Sequence, residues 1–87
     1  MSKNINIIYY VDTKDNTKGS ICAIPSDKDL RDAKVINELS NALWEGNFGN
    51  MDDSKIIALE IAYNGSAKTF CRMGKYEFGI EETELFE

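Results

Sequence analysis

Between residues 26 and 45 the apolar positions recur with a helical period. Val35, Ile36, Leu39, Ala42 and Leu43 fall on one stripe, while Arg31, Lys34, Glu38, Asn41 and Glu45 fall on the opposite arc. The spacing predicts one amphipathic helix over 26–45. Ser26 is placed to act as its N-cap with Asp29 three residues on, Asp27, Asp29 and Asp32 lie at the positive end of the dipole, and Gly46 can close the C-terminus. Leu30, Ala33 and Trp44 lie off that stripe.

Elsewhere the pattern alternates. Residues 4–13 predict a strand with Ile5, Ile7, Tyr9 and Val11 on one face and Asn6, Ile8, Tyr10 and Asp12 on the other. The polar stretch that follows supplies a turn, with Asn16 and Gly19 able to take left-handed conformations, and 21–24 forms a short strand ended by Pro25. Residues 4–24 thus read as a hairpin. After the helix, 47–53 reads as a loop with Phe48 and Met51 plugging the core edge.

The run 55–63, KIIALEIAY, reads as a strand leading through Asn64-Gly65 into a further strand over 67–73. Side-chain parity selects a three-residue loop over 63–65 with Gly65 left-handed. That register keeps Ile57, Leu59 and Ile61 on one face with Ala67, Thr69 and Cys71 and sets Glu60 opposite Lys68. Gly74 permits another reversal, and 75–81 sets Tyr76, Phe78 and Ile80 against Lys75, Glu77, Gly79 and Glu81. The stretch 55–81 is then a meander and 82–87 an acidic tail. The expected architecture is α+β: a single amphipathic helix on a mostly antiparallel four- to five-stranded sheet, order ββαβββ, with a β-grasp-like topology among the candidates.

Eighty-seven residues make one domain over 1–87, too short for two cores. Ten basic and fifteen acidic residues give a formal charge of -5. No Lys/Arg cluster is available to neutralise phosphates, so direct nucleic-acid binding is not expected. No apolar run is long enough to span a bilayer and the N-terminus lacks the pattern of a secretory signal, which points to a cytoplasmic protein with no membrane contact. Cys22 and Cys71, far apart and each in a strand-like context, read as buried free thiols.

The chain has no histidine, which removes the commonest general base and transition-metal ligand together. Asp52-Asp53 and Glu81-Glu82 read as solvated charge, because adjacent strand residues point to opposite faces and neither pair has calcium-loop spacing. The glycines at 46, 49, 65, 74 and 79 do not have the spacing of a phosphate-cradling loop. No catalytic residue, cofactor or metal site is expected.

A surplus of apolar surface remains. One helix covers one sheet face, and Ile5, Ile7, Tyr9, Val11, Ile57, Leu59, Ile61, Thr69 and Cys71 match its stripe. The other face then carries Ile8, Tyr10, Ile56, Ala58 and Phe70 with Glu60, Lys68 and Arg72 among them. Partner-binding candidates are Tyr10 and Phe70 on that face, Trp44 on the helix, and Glu81, Glu82 and Glu84 with Phe86, where charge steers and the aromatic ring anchors. Each has a plainer alternative: a loop or the C-terminal segment folds over the face, Trp44 rims its own core, and the tail is solvated.

In size, acidity and lack of catalytic residues the chain resembles the small inhibitors made by phages and other mobile elements, anti-CRISPR proteins included. The resemblance implies a non-catalytic protein that occupies a protein partner's surface, one that itself binds nucleic acid, with carboxylates standing where phosphates bind. The alternative is a self-associating accessory protein, a homodimer through a sheet face or the first-strand edge. A third reading, an enzyme or small-ligand binder using Tyr9, Tyr10, Cys22 or Asp52, requires a pocket where such groups converge.

Overall fold

A computed structural model describes the backbone of residues 2–71 and 74–86 and the side chains of residues 4–67 and 76–84. The chain runs β1 (Ser2–Asp12), β2 (Thr17–Pro25), α1 (Ala33–Glu45), α2 (Met51–Asn64), β3 (Ser66–Cys71) and β4 (Gly74–Phe86). The class is α+β as the alternation predicts, but the described residues form two helices and a sheet of four strands, all antiparallel, in the order β2-β1-β4-β3. The second helix and the all-antiparallel pairing depart from a single-helix, ββαβββ, β-grasp-like arrangement.

β1 and β2 form the expected hairpin. Asn16 takes the left-handed conformation at φ 62° and its N–H donates to Asp12 O at 2.7 Å. Asp15 accepts from Thr17 Oγ1 at 2.7 Å and Thr17 N at 3.1 Å, bonds that hold its carboxyl below the ordinary value. Ile21 is the extra residue of a bulge between the Ile8–Cys22 and Tyr9–Ser20 pairs.

α1 begins seven residues later than its periodicity predicts. Asp29 turns its carboxylate onto Arg31 N at 2.9 Å, and Asp32 N donates to Asp29 O at 3.0 Å. Short polar side chains thus capture the backbone in turns before a helix can start. Asp32, not Ser26, is the N-cap, accepting from Lys34 N at 2.8 Å. The inner stripe is as read: Val35, Leu39 and Leu43 are buried and Ile36 packs against them. At the other end Asn47, at φ 63°, turns the chain so that Phe48 N donates to Leu43 O at 3.1 Å and the Phe48 ring folds back into the core. Met51, expected beside it as a plug, is exposed.

The segment read as the strand 55–63 is α2. Ser54, Ile57, Ala58 and Ile61 occupy one helical stripe and are buried, Asn50 caps the N-terminus by accepting from Asp53 N at 2.8 Å, and Asp52 and Asp53 sit in the first turn, where the dipole favours them. Gly65 does take the left-handed conformation, φ 77°, yet it ends a helix and does not close a hairpin. Glu60 therefore does not face Lys68, whose partner in the ladder is Glu77.

The helices carry the chain from β2 at one edge of the sheet to β3 at the other. α1 packs against α2 and β2, and α2 against β3 and β4. Both lie on the face formed by Ile8, Ile24, Ala67 and Phe78, all buried, with Tyr10, Tyr76 and Ile80 alongside. Correspondingly, Ile8 pairs with Ile80 and Tyr10 with Phe78. The inner face of β1 is thus Ile8 and Tyr10, the reverse of the expected assignment. The alternation of β4 decides this, since it has one apolar face and the pairing ties that face to the even positions of β1.

Candidate functional site

Turning Ile8 and Tyr10 to the helices leaves Ile5, Ile7, Tyr9 and Val11 on the opposite face of a central strand. None of the four belongs to the core cluster, each is half-buried, and no described element lies over them. The flanking strands place other residues in register with this row. Ile5 lies between Pro25 and Thr83, Ile7 between Ala23 and Glu81, Tyr9 between Ser20 and Gly79, and Val11 between Lys18 and Glu77. The open face is therefore an apolar row with Lys18 on the β2 side and Glu77 and Glu81 on the β4 side.

Tyr9 holds the centre. Its ring lies across Gly79, where no side chain competes for the space. Lys18 Nζ stands 4.5 Å from the ring centroid and 3.5 Å from Glu81 Oε2, so a cation and a carboxylate meet beside one aromatic face. Both charged side chains are more than half exposed, and such a pair adds little stability of its own.

Other residues expected at a site are dispersed. Tyr10 lies on the helix-covered face, its ring centroid 4.8 Å from that of Phe48 and 5.8 Å from that of Tyr76. Residues 82–86 belong to β4 and pair with β1, so the acidic segment is strand, exposed over 82–84, and its carboxylates divide. Glu81 faces the open side, while Glu82 and Glu84, exposed and in register with Asn6 and Asn4, follow the opposite parity. Trp44 is 49 % exposed on α1. The side chains of Phe70 and Phe86 lie outside the described residues. Cys22, a free thiol, faces the helix side and is half-buried, with its pKa pushed up by burial and then by Glu38. Tyr9, Tyr10, Cys22 and Asp52 thus occupy two sheet faces and the first turn of α2.

Sequence reasoning missed one group. Ile56, Leu59 and Tyr63 are exposed on the outer side of α2, at spacings of three and four residues that mark a helical face. Among the described residues, no three His, Cys, Asp or Glu side chains come together as a metal site, and no helix is long and apolar enough to cross a membrane.

Compared with known proteins, the chain matches no family model, no curated protein and no solved structure.

Proposed function

We propose that the chain is a small acidic, non-catalytic binding protein that works by laying the open face of its sheet on a protein surface. The observation that carries this reading is the row Ile5, Ile7, Tyr9 and Val11 on a central strand with no described element over it. An antiparallel sheet tolerates one solvated face when that face is polar; four consecutive apolar positions on it favour a partner. The residues around the row supply both signs of charge, which sets orientation more than affinity.

Competition with nucleic acid for a basic surface, as an inhibitor would act, draws its support from the net charge of -5, while Glu81 and the pair Glu82 and Glu84 are turned to different faces. The expected first-strand edge does not exist, because β1 is paired on both sides. Of the true edges, β2 carries a bulge, Lys18 and Pro25, features that discourage strand addition.

The test is capture by the immobilised full chain from a lysate, comparing wild type with Ile7→Glu and with Ile56→Glu on the helix layer. Captured protein, its own copies included, should be lost with Ile7→Glu and kept with Ile56→Glu. Capture indifferent to Ile7→Glu overturns the reading.

A further inference from the structure

We infer that Asn64-Gly65 is a covalent modification site: a deamidation of Asn64 that the last turn of α2 holds in check, and that unfastens α2 from β3 once it has occurred. The inference is independent of the proposed use of the sheet face.

Of the chain's asparagines, Asn64 alone is followed by glycine; the others precede Ile5, Ile7, Thr17, Glu38, Ala42, Phe48 and Met51. An asparagine deamidates when the backbone nitrogen of the next residue gives up its proton and bonds to the side-chain Cγ. Ammonia leaves with that proton, and water opens the resulting succinimide at either carbonyl, to aspartate or to isoaspartate. A side chain on the attacking residue hinders the approach, and glycine has none. Both residues are also open to water. Asn64 is exposed, its side chain makes no hydrogen bond among the described residues, and a Cβ added at Gly65 would have no atom within 4 Å.

The fold withholds the attacking nitrogen. Gly65, at φ 77°, caps α2, and its N–H donates to Ile61 O at 2.8 Å, so the proton that must leave is held in a hydrogen bond. The reaction therefore proceeds from those molecules whose last helical turn has opened, and helix ends are where a fold opens most readily. Its products do not restore that turn. An aspartate at 64 places a carboxylate at the negative end of the helix dipole. Isoaspartate also routes the backbone through Cβ, which lengthens the path from Ile61 to Gly65, and the cap bond loses its geometry. Because β3 begins at Ser66, in register with Gly79, the lesion falls at the short link between α2 and the sheet.

Peptide mapping by mass spectrometry tests this on the full chain held in mildly alkaline buffer, beside a synthetic peptide of residues 61–67 in the same buffer as the unfolded reference. Conversion at Asn64 should outrun that at every other asparagine of the chain. It should nevertheless be about tenfold or more slower than in the peptide, as for a turn open in at most about one molecule in ten. Tyr63→Gly, at an exposed position of that turn, weakens the helix there. The variant should convert about 2- to 5-fold faster in the chain, with the rate of the correspondingly substituted peptide unchanged. Chain carrying isoaspartate, separated from the rest, should unfold at a lower urea midpoint than unconverted chain. Equal rates in chain and peptide overturn the inference, as does a Tyr63→Gly chain that converts no faster than wild type. Faster conversion at another asparagine overturns it too, and so does an isoaspartate chain with an unaltered midpoint.

Discussion

Tyr9 and Gly79 face each other across β1 and β4, and the ring covers the glycine so closely that a Cβ at position 79 would stand 2.5 Å from Tyr9 Oη. The next residue repeats the arrangement on the opposite side of the sheet, where a Cβ on Gly19 would stand 2.6 Å from Tyr10 Cε1. Two adjacent tyrosines of β1 thus each lie over a glycine of a flanking strand, a device that fills the gap a glycine leaves in a sheet.

The two sites should respond differently to the same substitution. Tyr10 packs against Phe48 and Tyr76, which resist its displacement, so Gly19→Ala should destabilise by about 1–3 kcal/mol through overpacking. Tyr9 lies on the open face and can swing outward, and the strand gains backbone order, so Gly79→Ala should stay within about 1 kcal/mol of wild type. Urea midpoints of the two variants check the order; a larger loss at Gly79 than at Gly19 would show that Tyr9 is as confined as Tyr10.

The ends of α2 offer a backbone test. Gly65 sits at φ 77°, and a Cβ added there would have no atom within 4 Å, so Gly65→Ala meets no clash and its cost, about 1 kcal/mol, is conformational. Asn50→Ala removes the acceptor of Asp53 N and should cost about 1 kcal/mol as well. The sites lie at opposite ends of the helix, and chemical denaturation of the double variant should give the sum of the single losses.

Those same caps were written in the sequence, as were the stripe 54, 57, 58, 61 and the glycine after Asn64, yet the segment reads as a strand. The cause lies in the outer face: with Ile56, Leu59 and Tyr63 also apolar, nearly every position from 56 to 63 fits either period, and β-branched residues tip the reading. A similar ambiguity hides the face of β1. Residues 7–11 are all apolar, so parity within the strand cannot choose a side; only the pairing with Phe78 and Ile80 does. α1, with a polar arc opposite its stripe, leaves no such choice, and only its start is displaced by the aspartate turns. Of the site, Glu81 and the apolar row were legible as residues, but which side of the sheet each would face was not.

Cys22 gives the fold a dependence on alkaline pH. Its thiol is pushed above the ordinary value of 9.0, first by burial and then by the Glu38 carboxylate, so the folded chain holds its proton where the unfolded chain has released it. The contribution to stability is therefore complete below the ordinary thiol value and is lost as pH rises through the folded value. In Cys22→Ala that loss should be absent. The stability difference between wild type and Cys22→Ala, followed by urea denaturation from neutral to alkaline pH, should shift against the wild type as pH rises; a pH-independent difference would mean the thiol titrates alike in both states.

Phe48 is the residue on which the layers converge. The C-terminal turn of α1, fixed by Phe48 N donating to Leu43 O, drops its ring onto the sheet, where it stands 4.8 Å from Tyr10, 5.1 Å from Tyr76 and 5.6 Å from Phe78. The two contacts with Tyr76 and Phe78 are edge-on, an arrangement worth more than the area it buries. Phe48→Ala empties this junction between the helical turn, β1 and β4 and should cost about 3–5 kcal/mol. A domain of this size holds only about 4–13 kcal/mol in all. The variant should therefore unfold at a much lower urea concentration, whereas Phe48→Leu, which keeps most of the volume and loses the ring contacts, should fall between. Equal midpoints for the two variants would mean that filling the space counts for nothing there, against the packing described.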